Sequence, residues 1–210
     1  MIFIEDCNHV IIQDIEITCD GGEGWTEKAN ESRYGVYIYN ETEDGCSDIK
    51  LERLFIHDIF AKEMRKSEGK TGKTSWGHGV FISSKNGKGV GTIKNIILDS
   101  LHIEKIGYYR VKTESKKDCP IQNLTIQNCH TENIGGSAIQ MGQTSNVQIK
   151  NNILHKSGSY IDERIHGHGS RSWTFQCHKI LYKGNTFMDA KGKMDSCGVH
   201  IDHGNTNVVI

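Results

Sequence analysis

Several features are scarce in this chain of 210 residues, and each absence excludes a class of protein. It holds a single proline, Pro120, and no run near the ~20 apolar residues that a membrane-spanning helix needs. The net charge of −1 gives no reason to expect a nucleic acid or an anionic membrane as partner. The seven cysteines are odd in number and include no C-x-x-C pair, so they define no disulfide framework. We therefore expect one domain over residues 1–210, without a membrane span.

A short phrase of alternating apolar residues returns seven times along the chain. The two leading apolar residues are two positions apart, which is the spacing of a β-strand and not of a helix. The copies lie 23 to 47 residues apart, so a constant unit carries loops of different length, as in a solenoid. The copies begin at Val10, Ile49, Ile96, Leu124, Val147, Ile180 and Val208.

Each complete copy contains a predicted bend followed by a second inward-facing pair. Four residues after its start, each copy carries a residue type that accepts a sharp turn. These residues are Asp14, Arg53, Ser100, Asn128, Asn151 and Gly184. The next residue turns inward again, and Asn152 and Asn185 at that position predict a ladder of bonded amides inside the fold.

A further strand recurs between the copies as a small residue followed by an apolar-x-apolar phrase. It is present at 35–38, 79–82, 138–141 and 198–201, with weaker copies at 108–111 and 172–175. Stacked coils of such strands, ~4.8 Å apart, form parallel sheets. The predicted fold is all-β, a right-handed parallel β-helix of about six to seven coils.

The chain resembles the pectate-lyase-like β-helix superfamily over nearly its whole length. The resemblance rests on V-x-I-x-x-N-x-I and G-I-x-I phrases, as at 147–154 and 198–201. It implies a carbohydrate-active enzyme with a polysaccharide substrate, placed outside the cell, in the periplasm or at the cell surface. Neither end of the chain shows the polar cap of a solenoid, so we expect a fragment of a longer protein. The oligomeric state is not predicted.

Outward residues of the further strand are the candidates for substrate binding. The row Tyr37, Phe81, Gln140 and His200 changes from aromatic to ionisable along the predicted axis. Aromatic faces suit stacking on the C–H faces of sugars, although they could equally be covered by long neighbouring loops. The long segments 19–33, 60–76, 107–120 and 158–171 are candidate walls of a groove.

Histidines concentrate in the last third of the chain, together with acidic residues and arginines. Of 11 histidines, six lie between His155 and His203. If 158–176 lies directly beneath 195–204, the two segments share an outer wall. The predicted catalytic residues are Asp202, His200, Glu163, His168, Arg171 and Asp195, and the predicted substrate-binding residues are Tyr37, Phe81, Gln140, His166 and His203.

Three chemistries are compatible with this group. In a glycoside hydrolase, Glu163 and Asp202 would act as a pair of carboxylates on neighbouring coils. In a uronate lyase, His168 or His200 would remove a proton while Arg171 neutralises the charge that develops. Asp195 and Asp202, seven residues apart along a segment assumed to be nearly extended, are not expected to pair with each other.

A metal site is the third possibility. The H-x-H phrase at 166–168 and the H-x-D-H phrase at 200–203 would supply imidazole and carboxylate ligands for a divalent ion. We predict no cofactor, with a divalent metal ion as the alternative. Non-catalytic glycan binding also remains open. The preferred hypothesis is a polysaccharide-degrading, glycosidase-like enzyme, with the uronate lyase as runner-up because outward cations are few.

One local phrase resembles an active-site motif. Residues 77–84, GHGVFISS, are similar to the Gly-His-Gly phrase of polygalacturonases, in which the histidine belongs to the active site. The resemblance points to His78. That family also carries an Asp-Asp pair before this phrase and an Arg-x-Lys after it, and this chain contains no adjacent aspartates.

Overall fold

Three parallel β-sheets form the walls of a solenoid. The computed structural model describes residues 1–19, 32–60, 77–85, 89–115, 119–158, 169–192 and 195–210, and these contain 20 strands. We call the sheets A, B and C, and we number the coils 1 to 7 from the N-terminus. One coil contributes one strand to each sheet, except that coil 7 contributes strands to sheets A and B alone.

The strands follow one another in a fixed order within each sheet. Sheet A consists of β1 (Ile2–Glu5), β4 (Arg33–Asn40), β7 (Gly77–Ser84), β10 (Tyr109–Glu114), β13 (Ile139–Gly142), β16 (Ser172–Phe175) and β19 (Val199–Ile201). Sheet B consists of β2 (Asn8–Gln13), β5 (Cys46–Glu52), β8 (Ile93–Asp99), β11 (Ile121–Gln127), β14 (Thr144–Lys150), β17 (His178–Lys183) and β20 (Thr206–Val209). Sheet C consists of β3 (Glu16–Cys19), β6 (Phe55–Ile59), β9 (His102–Ile106), β12 (His130–Ile134), β15 (Ile153–His155) and β18 (Thr186–Met188).

The copies of the predicted repeat form the strands of sheet B and lie in register with one another. All seven starting residues pair in a single row, from Val10 and Ile49 in coils 1 and 2 to Ile180 and Val208 in coils 6 and 7. The inward residues of the middle coils, such as Leu98 and Ile126, have no solvent exposure. The prediction of an all-β parallel β-helix is therefore confirmed.

The bend between sheets B and C has the conformation that the residue types predicted. Its backbone is left-handed in all six complete copies, with φ from +50° at Arg53 to +64° at Gly184. The next residue points inward, and Leu54 and Leu101 are 1% exposed. Ile15 differs, with 43% exposure, because sheet order places coil 1 at one end of the stack, where it has a neighbour on one side.

The predicted amide ladder lies just inside this bend. Asn152 donates from Nδ2 to Asn185 Oδ1 and to the carbonyl of Ile126, both at 2.9 Å. Asn185 donates in turn to the carbonyl of Ile149 at 2.7 Å. The ladder satisfies buried backbone carbonyls where the strand ends, and it confirms the prediction.

A second amide ladder, on the outer surface of sheet B, was not predicted. Asn95 donates to Asp48 at 2.8 Å, Asn123 to Asn95 at 2.8 Å, and Asn146 to Asn123 at 3.1 Å. Each of these residues has φ between +54° and +58°. Asn and Asp tolerate that conformation better than most residues, which explains why they recur there.

All seven cysteines are free thiols, and Cys46, Cys119, Cys129 and Cys177 are buried. Within the described ranges, the fold offers no helix long and apolar enough to span a bilayer.

Candidate functional site

The outer face of sheet A carries one continuous row of outward side chains, running along the axis from coil 1 to coil 7. Backbone pairing joins the members in the order Phe3, Tyr37, Phe81, Lys112, Gln140, Trp173 and His200. The four residues of the predicted row therefore lie in one row. Of the predicted stack of 158–176 beneath 195–204, the described strand β16 pairs with β19.

Sequence reasoning missed three members of the row, Phe3, Lys112 and Trp173. Lys112 and Trp173 stand in the strands that the alternation indicated only weakly. In coil 6 the inward neighbours of Trp173 are Ser172 and Thr174, which are fully buried although they are polar. Coil 6 therefore lacks the apolar-x-apolar pattern that marks this strand in the sequence. The outward position of Trp173 is shown by its backbone pairing with Gln140 and His200.

Aromatic side chains pack closely at one end of the face, over coils 1 to 4. We call this group the aromatic end. Tyr34 stacks on Tyr37 with ring centres 4.7 Å apart, on Phe81 at 5.3 Å and on His78 at 5.5 Å. The group consists of Phe3, Tyr34, Tyr37, Tyr39, His78, Phe81, Tyr108 and Tyr109. The side chains of Phe81 and His78 are 8% and 2% exposed, so rings on the outer wall are here packed against one another.

Burial keeps the aromatic end uncharged. Burial, with the nearby Lys112 ammonium, holds the pKa of His78 well below its usual value, so the imidazole is neutral. Burial likewise raises the pKa of Tyr37 to about 12, and its hydroxyl is 2.9 Å from Ser83 Oγ. A neutral histidine enclosed by rings is not placed for the active-site role that the Gly-His-Gly resemblance implied.

An open cavity of about 510 Å³ lies beside the first two coils of this end. Its lining residues are Met1, Phe3, Cys19, Ser32, Arg33, Tyr34 and Tyr37. The Phe3 side chain is 47% exposed, in contrast to Phe81. The accessible ring surface of the aromatic end is therefore concentrated at this cavity.

Ionisable side chains occupy the other end of the face, over coils 6 and 7. We call the group Trp173, Asp195, His200, Asp202 and His203 the ionisable end. The backbone N–H of His203 donates to Asp202 Oδ1 at 2.7 Å, and the His203 ring lies 3.0 Å from the same oxygen. The Trp173 indole donates to Asp202 Oδ2 at 3.1 Å. These bonds hold the pKa of Asp202 below its usual value, so its carboxylate is ionised.

Asp195 belongs to the same wall. Its Oδ1 atom lies 3.9 Å from Nδ1 of His200, and the His200 ring centre is 6.2 Å from that of Trp173. The segment from Asp195 to Asp202 is a strand only over Val199–Ile201 and bends at Gly198. The segment is therefore not extended throughout, in contrast to the assumption made from the sequence.

Arg171 is not on the outer wall, which corrects the expectation. It is fully buried and donates to Ser157 Oγ and to the carbonyl of Met188. Desolvation lowers its pKa to about 10. The corresponding position is Gly79 in coil 3, where a Cβ would lie only 2.6 Å from the carbonyl oxygen of Arg110, and Ala138 in coil 5. In coil 6 the larger arginine side chain is buried at this position.

Arg110 occupies the same position in coil 4 and is also fully buried. Desolvation lowers the pKa of its guanidinium, which lies beside the Cys129 thiol. With Lys112, Arg110 forms an Arg-x-Lys phrase, which the sequence reasoning overlooked. Only Lys112 of the two reaches the outer face, where it forms an ion pair with Glu114 at 2.9 Å.

Three predicted residues, Glu163, His166 and His168, lie outside the described residues, and so does the H-x-H phrase. Over the part of the chain that the structure describes, no three His, Cys, Asp or Glu side chains gather closely enough to hold a metal ion. The remaining predicted binding residues are placed on the face already described: Gln140 is 6% exposed and lies between Lys112 and Trp173, and His203 contacts Asp202.

Clustering of histidines in the sequence does not mean clustering in space. His155 lies on sheet C and His178 on sheet B, away from the ionisable end. Sheet C carries its own ion pairs, which the sequence reasoning did not find. His57, for example, lies 2.6 Å from Asp58 and 2.9 Å from Glu16, and these bonds raise the pKa of its imidazole.

No protein-family model matches the chain, and no curated protein matches its sequence. Among solved structures, it is similar to the native GH136 lacto-N-biosidase from Eubacterium ramulus, with a TM-score of 0.71 and 17% identity. The match covers 97% of this chain and 37% of that protein, so the chain spans little more than a third of its structural neighbour. The selenomethionine form of the same enzyme matches with a TM-score of 0.48 and 14% identity over 90% of this chain and 42% of that chain. The first likeness shows a shared β-helix fold.

Proposed function

We propose that this chain is a glycosidase-like β-helix that cleaves a glycan at the ionisable end of sheet A. The observation that carries the proposal is the carboxylate of Asp202, held ionised on the outer wall beside an aromatic side chain. The fold shared with a lacto-N-biosidase supports the proposal, since that protein is named for acting on a glycan.

Asp202 is assigned the role of nucleophile or general base. The depressed pKa suits a group that must be ionised before the reaction and does not suit a proton donor. Its carboxylate is 32% exposed, so one side remains accessible to substrate or water while three donors fix its orientation.

The reaction also needs a proton donor on the leaving-group oxygen. Asp195 is our first candidate, because it contacts His200 on the same wall and its side chain is 40% exposed. Glu163, the donor suggested by the sequence, lies outside the described residues and is the second candidate. The separation of the acid from Asp202 sets the stereochemical outcome, ~5–5.5 Å for retention or ~6.5–9.5 Å for inversion.

Trp173 is assigned to bind the sugar ring next to the scissile bond. Its indole N–H is committed to Asp202, which fixes the ring relative to the carboxylate. A sugar that stacks on Trp173 would therefore be placed beside Asp202 and His200. Positioning of this kind is a major part of what an enzyme contributes to a reaction.

A lyase mechanism is less well supported than hydrolysis. It needs a cation to neutralise the uronate carboxylate, and Arg171, the residue first considered for that role, faces the interior. Lys112 lies on the wall but is two pairing steps from Trp173 and is engaged by Glu114.

The test is a product assay on a panel of neutral and uronic polysaccharides and on a lacto-N-bioside. We expect release of reducing ends without the ultraviolet absorbance of an unsaturated sugar, and loss of that release in Asp202→Asn. An absorbing product would identify a lyase, and binding without any bond cleavage would leave only a glycan-binding β-helix. With a polysaccharide substrate, we also propose that the protein acts outside the cell, in the periplasm or at the cell surface.

A further inference from the structure

We propose that the cavity at the aromatic end is a second carbohydrate-binding site, which holds a pyranose ring remote from the site of cleavage. That its ligand is a sugar rests on the proposed function. The cavity of about 510 Å³ falls within the ~300–1,000 Å³ of small-molecule pockets and has room for a sugar unit.

The walls of the cavity have the geometry that a sugar ring requires. Phe3 and Tyr37 lie with ring centres 5.3 Å apart and planes inclined by 45°, so their faces form an angle instead of a flat stack. Tyr34 lies nearly parallel to Tyr37 at 4.7 Å and extends that wall. Aromatic faces of this kind pack against the C–H face of a pyranose, while its hydroxyls remain directed toward solvent.

The rings are held in place before a ligand arrives. Phe81 backs both tyrosines, with ring centres 5.3 Å from Tyr34 and 5.1 Å from Tyr37, and it is nearly fully buried. The Tyr37 hydroxyl is bonded to Ser83. Rigid aromatic side chains provide contact area at a low cost in conformational entropy, so the site is preorganised for binding.

The site is distinct from the ionisable end. Tyr37 and His200 share one row of sheet A but are separated by five pairing steps, which corresponds to ~24 Å. Between them, Phe81 and Gln140 are almost completely buried. The cavity therefore binds a part of the glycan several sugar units away from the cleaved bond, or a neighbouring glycan chain.

The test is saturation-transfer NMR with two probes, methyl β-galactoside and methyl N-acetyl-β-glucosaminide, at millimolar concentration. Trp173→Ala serves as the background, because it removes the sugar platform of the ionisable end. We expect Trp173→Ala to retain transfer to the ring C–H protons, and the added change Phe3→Ala to reduce it about fivefold or more. Phe3 is half-exposed, so its removal leaves the core intact, and circular dichroism checks the fold of each variant.

The matched control is Phe55→Ala, an aromatic residue on the outer face of sheet C that stacks on His57. It should leave the transfer unchanged. The inference is overturned if the Trp173→Ala protein shows no transfer from either probe, if Phe3→Ala has no effect, or if Phe55→Ala has the same effect. If the Trp173→Ala protein does not fold, Phe3→Ala and Phe55→Ala are compared in the wild-type background, and the same outcomes support or overturn the inference.

Turnover of the glycan panel is measured separately and depends on Asp202. A protein that binds the probes through Phe3 but cleaves nothing would refute the proposed cleavage and keep the second site. A protein that cleaves a glycan but binds the probes equally well without Phe3 would refute the second site and keep the proposed cleavage.

Discussion

The two ends of sheet A are built on the same strand register and differ in almost every physical property of their outer side chains. At the aromatic end, Phe81 and His78 are buried among rings and the titratable groups are neutral. At the ionisable end, Asp202 is ionised, partly exposed and fixed by three donors. The coil geometry therefore constrains the inward residues, while the outward residues can serve either packing or chemistry.

The largest expected effect is on turnover at the ionisable end. Asp202→Asn removes the charge while retaining the volume, and we expect kcat on the cleaved glycan to fall about 1,000-fold or more. The matched control is Glu114→Gln, which changes a carboxylate at the same strand position three coils earlier and should alter kcat less than about threefold. Steady-state kinetics of both variants test the catalytic role of Asp202. Equal losses of kcat would contradict that role.

The aromatic end should dominate stability. Phe81→Ala removes a ring that is 8% exposed and contacts Tyr34, Tyr37 and His78, so we expect the free energy of unfolding to fall by about 3–5 kcal/mol. Urea denaturation followed by circular dichroism measures the change. A loss below about 1 kcal/mol would mean that these rings are not packed as described.

Acid should destabilise the aromatic end through His78. Since its pKa is depressed in the folded protein, the unfolded chain gains a proton below its ordinary pKa of ~6.5 that the folded protein does not accept. Stability is then lost as pH falls below ~6.5, by up to about 1.4 kcal/mol per pH unit, and His78 adds no pH dependence above that value.

The His78→Phe variant keeps the stacked ring without the titration. Unfolding free energies of both proteins between pH 5 and 8 should show a shallower acid slope for the variant. His57 on sheet C has the opposite sign, because its raised pKa stabilises the fold at low pH and the gain is lost as pH rises through the folded value. An unchanged slope in His78→Phe would show that this imidazole is protonated in the folded protein.

The smallest effect is expected from removing one donor to Asp202. Trp173→Phe retains an aromatic platform but loses the indole N–H that binds Oδ2. The pKa of Asp202 should rise toward its usual value, and the acidic limb of the pH–kcat profile should move upward by less than about one unit. A limb that moves to lower pH would contradict the assignment of Asp202 as the group that must be ionised.

The interior of the fold could be predicted from the sequence because every coil repeats its constraint. Val10 and Val208 stand in the same register row at opposite ends of the chain, and the bend residues share one left-handed conformation. Residues that fill the same space in successive coils must have similar size and polarity, so their spacing reveals the stack. The apolar pattern is weaker where an inward residue is polar, as at the buried Thr174.

The candidate site could be predicted only in part, since nothing repeats in the outward row. Alternation placed Tyr37, Phe81, Gln140 and His200 on one row, but Lys112 and Trp173 came from strand pairing alone. The prediction for Arg171 was wrong for another reason. Arg171, like Arg110, occupies a position where other coils have glycine or alanine and is fully buried, whereas its charge had suggested a place on the outer wall.

The proposed cleavage site is tested most directly by the crystal structure of the Asp202→Asn variant soaked with the glycan that the wild-type protein cleaves. We expect a sugar ring stacked on Trp173, with the scissile bond facing residue 202 and its leaving-group oxygen toward Asp195. A glycan bound on sheet B or C, or a bond lying far from residue 202, would contradict it.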